Sequence, residues 1–454
     1  MDTTFKRIPR VMIAAPKSGS GKTAVTCGIL EILRRSGRAV QAYKCGPDFI
    51  DPMFHKKVLS VPSKNLDPFF LDRAGLVRNM VRTSAGADIS VIEGVMGYFD
   101  GLGGSTSEAS SYDLAVKTDT PVIMVIDAAG TSLSAVPALH GFLEYEKLAG
   151  GGRHIEGVIF NRLAGNIFPE IKKIAEETTG VRVLGYVPRL KSMWQSRHLG
   201  LIMPGEIEGF REEVGRAADI MAETIDMEGL CGIAENADEM PVDADPSDRA
   251  DPGSASSAAS PAEGGLAGRG RIGLADDEAF CFMYEDNIKV LEDAGAEIVR
   301  FSPLHDQRLP DVDGLILPGG YPELHAARLE ENDSMRRDIR LAAKNGMPVL
   351  AECGGFMYLQ QKLTDTEGRT HEMCGALPGE AFYAGRLVRF GYLTLTDERG
   401  RQIRGHEFHY YDTTCNGDLC TAVKPVTGKS WKCMVRSGNV IAGFPHLYYP
   451  SWEM

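Results

Sequence analysis

Pro16-Lys17-Ser18-Gly19-Ser20-Gly21-Lys22-Thr23 lies between an apolar run at residues 11–15 and a helical pattern. Against G-x-x-x-x-G-K-[ST] it matches every fixed position but the first, where Pro16 stands for glycine. Gly19 and Gly21 let backbone N–H groups turn inward around phosphate oxygens, Lys22 adds a charge, and Thr23 offers a hydroxyl to Mg²⁺. Val25, Ile29, Ile32 and Leu33 recur at helical spacing behind the loop, Gly37 ends the pattern, and the helix presents its positive end to the phosphates. Strand, loop and helix together predict a nucleotide site.

Working outward, apolar runs at 11–15, 39–43, 89–92, 121–126, 155–160 and 181–187 alternate with helical patterns such as 169–178. That alternation predicts α/β architecture with a mainly parallel, doubly wound sheet. Ligands then gather at the carboxyl ends of the strands. A stretch rich in Ser, Ala, Pro, Gly and Asp follows, with no apolar period, and reads as a flexible linker. A second αβ pattern has strand candidates at 271–275, 298–301, 314–317 and 348–351, with a helix at 326–344 before the last. The expected organisation is residues 8–230, a linker over 231–270, and 271–454.

The chain of 454 residues is 43% hydrophobic and 24% charged, with a net charge of −13, which argues against a nucleic-acid binder. Its nine cysteines include no C-x-x-C pair, and no apolar run approaches a membrane span. The expectation is a reduced, cytoplasmic protein without membrane partners.

Two acid-bearing segments lie near the phosphate loop. In Lys44-Cys45-Gly46-Pro47-Asp48-Phe49-Ile50-Asp51-Pro52, two aspartates three apart follow a strand. In Glu93-Gly94-Val95-Met96-Gly97-Tyr98-Phe99-Asp100-Gly101, a glutamate ends another. Four acids and Lys44 on strand-end loops suit either holding Mg²⁺ or orienting a substrate for phosphoryl transfer, and spacing leaves both open. Asn161, ending a later strand, carries an amide able to read an adenine edge.

The second half has its own signal, Leu350-Ala351-Glu352-Cys353-Gly354-Gly355-Phe356. A strand running into cysteine, then glycines and a helix, is a nucleophile elbow. The helix end should lower the thiol pKa, and the N–H of Gly354 can hold an oxyanion. Gly319 and Gly320, ending another strand, could add a second backbone donor. His446 is the leading base.

With these motifs in hand, the chain resembles the cobyrinate a,c-diamide synthase family, which fuses a dethiobiotin-synthetase-like, P-loop ATPase domain to a class I glutamine amidotransferase (flavodoxin-like) domain. The resemblance rests on APKSGSGKT (15–23), KCGPDFIDP (44–52), EGVMGYFDG (93–101), RHLGL (197–201), PGGYPE (318–323), AECGGFMYL (351–359) and GHEFHY (405–410). It implies amidation of the a and c carboxylates of a corrin polycarboxylate, with ATP and glutamine as co-substrates and Mg²⁺ as cofactor. Lys17, Gly19, Gly21, Lys22 and Thr23 would then bind the nucleotide phosphates, Asn161 the adenine, and Thr23, Asp48 and Glu93 the metal. Asp51 and Asp100 would position substrate carboxylate or ammonia, and Phe49 and Ile50 would touch the macrocycle. Gly319, Gly320 and Gly354 would serve the glutamine site. Lys44, Arg386, Arg389, His406 and His409 are candidates for the substrate carboxylates. A homodimer is compatible with the resemblance.

One departure stands out. Class I amidotransferases carry Glu two residues after the catalytic His, where this chain has Tyr448, so what orients His446 is left open. The alternatives are a Ni-sirohydrochlorin a,c-diamide synthase, the related cobyric acid synthase, a partitioning-type ATPase switch and a tetrapyrrole carrier.

Overall fold

The computed structural model describes residues 4–190, 207–242 and 270–452. The chain divides into two compact units, Met1–Ala250 and Asp251–Met454. RHLGL at 197–201 lies outside the described residues.

The first unit contains β1 (Thr4–Lys6), β2 (Arg10–Ala14), β3 (Val40–Cys45), β4 (Ser63–Leu66), β5 (Ile89–Glu93), β6 (Val122–Asp127), β7 (Ile155–Asn161), β8 (Arg182–Val187) and β9 (Met240–Val242). Seven of them form a parallel sheet in the order β4-β3-β5-β2-β6-β7-β8. β2 is buried throughout because both faces are covered: Met12 and Ala14 enter one core, Val11 and Ile13 the other. The chain order reverses beside β2, so the phosphate loop emerges at the topological switch of the sheet. Helix α1 (Lys22–Arg35) follows and packs on the helix Ile207–Thr224. Gly28 permits the approach, since a Cβ there would fall 2.2 Å from Met221 Sδ.

The expected strands appear within one or two residues of their predicted ends. The start of the linker does not. A helix at Met227–Glu235, capped by Asp226 accepting from Gly229 N at 2.8 Å, buries Leu230, Cys231 and Ala234. β9 then pairs antiparallel with β1. Residues 231–242 therefore belong to the first unit, because their apolar side chains have a core to enter; 243–269 lie outside the described residues.

In the second unit β10 (Arg271–Ala275), β11 (Glu297–Phe301), β12 (Gly314–Leu317) and β13 (Val349–Glu352) form a parallel sheet in the order β11-β10-β12-β13. Val440–Gly443 continues it in parallel, and Val435–Ser437 closes the edge antiparallel. The helix expected over 326–344 is two helices, Ala326–Glu331 and Asp333–Lys344. Asn332 between them caps the second through Met335 N. Residues 362–447 add two further sheets of short strands. In one of them Gln402–His409 pairs antiparallel with His446–Leu447, which sets His406 directly opposite His446. Both units are α/β. Among the described residues no helix is long and apolar enough to cross a membrane.

Candidate functional site

The phosphate loop needs its glycines: Gly19 and Gly21 have φ of +78° and +92°, which L side chains seldom adopt. A Cβ on Gly21 would also lie 2.2 Å from Asn161 Nδ2. Asn161, expected at an adenine, instead donates that Nδ2 to Ser20 O at 2.8 Å and so buttresses the loop. Arg162 reaches Gly19 O at 3.2 Å while paired with Asp127. Lys22 is buried and donates to Met96 O and, at 3.5 Å, to Lys17 O. Burial, then the neighbouring Lys44 charge, lowers its ammonium to about 8. Lys17 itself is exposed.

Met96 belongs to the segment after β5, which folds back over the loop. Gly94 N bonds Ile13 O and Tyr98 N bonds Ala15 O, each at 2.9 Å. Asp100 caps the turn by accepting from Gly97 N at 2.9 Å. Its side chain is thus a loop cap on an otherwise exposed residue.

Next to the loop the acids converge on one lysine. Lys44 Nζ lies 2.5 Å from Asp51 Oδ2, 3.0 Å from Glu93 Oε1 and 3.9 Å from Asp48 Oδ2. Burial alone would lower its pKa, but Asp51, Glu93 and Asp48 outweigh burial and hold it raised. Glu93 Oε1 also accepts from Thr23 Oγ1 at 2.6 Å. Burial, and then Asp51, pushes the Asp48 carboxyl up to about 7 against the pull of Lys44. A carboxylate held that high is stabilised by added positive charge. Thr23, Asp48 and Glu93 thus offer hard oxygen donors suited to Mg²⁺. Among the described residues no three acids, histidines or cysteines form a ready-made cage. Mg²⁺ takes one or two carboxylates and completes its shell with phosphate and water. Phe49 is buried and Ile50 half-buried beside this cluster.

Sequence reasoning missed His55, fully buried on α2 (Ile50–Lys57), with Nε2 3.3 Å from Glu93 Oε2 and Nδ1 3.1 Å from Ser63 Oγ. Asp51 and His55 stand four apart on one helix, hence on one face, so a signal existed.

In the second unit Cys353 sits at φ +45°, ψ −103°, between β13 and the helix Gly354–Leu359. This strained backbone is the elbow the sequence predicts. Gly319 is the pivot: a Cβ there would lie 2.2 Å from His446 Cε1 and 3.3 Å from Cys353 Cβ, so the Cys353 and His446 side chains converge on its bare Cα. Gly319→Ala should therefore reduce glutamine hydrolysis by about a hundredfold, measured as glutamate release at matched folding. A loss under about threefold would show that the ring need not stand there. Cys353 N is spent on Gly443 O at 2.8 Å and Gly355 N on Pro318 O at 3.0 Å. A Cβ on Gly354 would lie 3.0 Å from Gly320 N, so Gly320 and Gly354 stand close together beside the elbow.

The expected lowering of the thiol pKa is corrected. Burial, with the Glu323 and Glu407 carboxylates adding to it, pushes the Cys353 thiol up. A six-residue helix whose cap N–H is already bonded supplies too little opposing field. Burial, then His406 and His409, holds His446 well below its ordinary value. Both shifts favour the neutral forms, and a neutral imidazole is the form that accepts a proton.

His406 and His409, expected at substrate carboxylates, turn inward instead. His406 stacks on His446 with ring centroids 5.0 Å apart and planes 18° apart, and its Nδ1 meets Tyr284 Oη at 3.0 Å. Burial, then Lys424, lowers it to about 3, so it carries no charge for a carboxylate. His409 stacks on Phe444 at 4.0 Å and donates Nδ1–H to Tyr411 O at 2.6 Å. The reason is the strand pairing that sets 406 against 446. The same pairing answers what holds His446 in place of a glutamate, since Tyr448 is turned to Asp286 Oδ2 at 2.8 Å. Arg386 is exposed, and Arg389 lies 3.7 Å from Glu407 and over Trp431.

Comparison with known proteins matches residues 11–201 to the "CobQ/CobB/MinD/ParA nucleotide binding domain" family. Residues 271–453 match the "CobB/CobQ-like glutamine amidotransferase domain". The chain is 37% identical to a protein of Listeria innocua named cobyrinate a,c-diamide synthase, over 97% of this chain and 96% of that protein. It is 39% identical to one so named in Methanosarcina acetivorans (97% and 92%) and 36% identical to one in Salmonella typhimurium (96% and 94%).

Proposed function

The chain belongs to the cobyrinate a,c-diamide synthase family, and from that premise we propose that it converts the a and c carboxylates of cobyrinate to amides, using ATP and glutamine. The observation that carries the reading is the convergence of Cys353 and His446 on Gly319 in a chain that also bears the phosphate loop at 16–23.

A carboxylate resists attack by ammonia until its oxygen becomes a leaving group. A carboxylate oxygen of the substrate attacks the γ-phosphorus of ATP, the bond to the β–γ bridging oxygen breaks, and ADP departs from an acyl phosphate. Lys22 and the loop N–H groups hold the phosphates in line, with Lys17 a further cation at the rim. Mg²⁺, held by Thr23, Asp48 and Glu93, would supply positive charge to the phosphate oxygens. Lys44, neutralised by Asp51 and Glu93, keeps those acids fixed beside the transferred group, and Asp100 fixes the covering turn. In the second unit the Cys353 sulfur attacks the glutamine amide carbon as His446 takes the thiol proton and returns it to the departing nitrogen. Ammonia leaves, water releases glutamate from the thioester, and ammonia displaces phosphate from the acyl phosphate. Gly320 N and Gly354 N are the donors for the oxyanion.

The test is direct. Incubation with ATP, glutamine and cobyrinate should give two successive products, each with one carboxyl OH replaced by NH₂ and one ADP formed per step. Amidation of Ni-sirohydrochlorin in preference to cobyrinate would overturn the assignment of the macrocycle. ATP hydrolysis with no amide on either would overturn the reading itself.

A further inference from the structure

Among the buried polar atoms of the described residues that have no hydrogen-bond partner are Glu323 Oε2 and Tyr411 Oη. Glu323 belongs to the short turn Pro322–Leu324. The Pro322 ring lies 2.8 Å from where a Cβ of Gly354 would stand, so the turn abuts the residue that follows Cys353. Tyr411 opens the strand Tyr411–Thr413, is 4% exposed, and lies next to the chain that carries His409. The Glu323 carboxylate acts on both neighbours, raising the pKa of the Cys353 thiol and of the Tyr411 hydroxyl, in each case after burial itself. Burial pushes its own carboxyl up to about 7.

A buried carboxylate oxygen without a donor is costly, and a buried phenol oxygen that neither donates nor accepts adds to the anomaly. One small cationic donor would satisfy the carboxylate and give the phenol oxygen a bond to accept. On the reading above, the molecule attacked by Cys353 is glutamine, whose α-ammonium carries three N–H donors and one positive charge. We propose that Glu323 and Tyr411 form the subsite for the α-ammonium of glutamine, the carboxylate accepting a charge-assisted bond and the phenol oxygen a second. The proposal rests on the glutaminase reading and adds a consequence to it. Pairing Glu323 with an ammonium removes the negative field that opposes thiolate formation at Cys353. Substrate arrival and thiol activation are then one event.

Glutamine and 4-carbamoylbutanoate, which lacks the α-amino group, distinguish recognition from scaffolding in the full-length protein. Wild type should hydrolyse glutamine with the higher kcat/KM. Glu323→Gln should lower kcat/KM for glutamine by about 10- to 100-fold, the size of a charged hydrogen bond. The value for 4-carbamoylbutanoate should not fall, because the substitution also lifts the negative field from the thiol, so that the preference collapses. Tyr411→Phe should lower the preference in the same direction by a few fold. Equal losses on both substrates in both variants would make the pair structural and overturn the proposal. So would an unchanged glutamine kcat/KM in Glu323→Gln, as expected if only buried water meets the carboxylate. Should Glu323→Gln fail to fold by circular dichroism, Glu323→Asp and Tyr411→Phe decide by the same ratio. A wild type unable to hydrolyse glutamine would sink the glutaminase reading and the subsite together. An active wild type with no preference would sink the subsite alone.

Discussion

Cys353→Ala should lose glutamine-dependent amide formation by at least about a thousandfold, the scale of removing a covalent nucleophile. With ammonium in place of glutamine, the variant should still form amides. The sulfur touches only the nitrogen donor, whereas the acyl phosphate is built from the phosphate loop and the acids around Lys44. Alanine is a mild replacement at this position, because it keeps the positive φ of the elbow and the 2.8 Å bond from residue 353 N to Gly443 O. Burial raises the thiol and lowers His446, which disfavours a resting ion pair and favours attack coupled to proton transfer to His446. No other cysteine can substitute without an imidazole beside a bare glycine. The measurement is amide formed per ATP consumed with each nitrogen source. Retention of glutamine-driven synthesis in the variant would remove Cys353 from the mechanism, and loss of ammonium-driven synthesis as well would mean that alanine had damaged the fold.

What the sequence made legible follows from how each element is buried. Parallel strands covered on both faces are largely apolar runs, and β2, β6 and β7 could be read directly. β4, with the sequence Ser-Lys-Asn-Leu, pairs on one side only and carries no such run. The amphipathic helix at Met227–Glu235 is short and borders a Ser/Ala/Pro-rich stretch, so composition hid its buried face of Leu230, Cys231 and Ala234. The elbow and the phosphate loop could be found because their glycines sit at fixed offsets from the reacting side chain. His406 could not be placed that way. Its neighbour His446 is forty residues away and meets it only through strand register, which no local pattern specifies. The same limit hid the pivot role of Gly319, whose reason is an imidazole from a distant strand. Asn161 lies at the phosphate loop, as its place at a strand end suggested, but its bond to the Ser20 carbonyl could not be foreseen, since an amide suits an adenine and a backbone carbonyl equally.

Glu93→Gln should have the complementary outcome: amide formation falls about a thousandfold with glutamine and with ammonium alike, while glutamine hydrolysis at Cys353 persists. Glu93 is fully buried at the end of β5, and its Oε1 is shared by the Thr23 hydroxyl at 2.6 Å and the Lys44 ammonium at 3.0 Å. Glutamine keeps the shape and can still accept from Thr23, so what the substitution removes is the charge. Lys44 keeps its 2.5 Å partner Asp51, and the fold should survive. Lys44→Met is the contrasting change. It leaves Asp51 and Glu93 buried without a counter-charge and should destabilise the first unit by about 3–5 kcal/mol, which denaturant unfolding would detect. If charge at Glu93 matters for carboxylate activation, the two variants separate: one stable and unable to make amides from either nitrogen source, the other unfolding early. Amide formation by Glu93→Gln within about tenfold of wild type would mean that Glu93 only anchors Lys44. The positive charge on the phosphates would then have to be held by Asp48 and Thr23 alone.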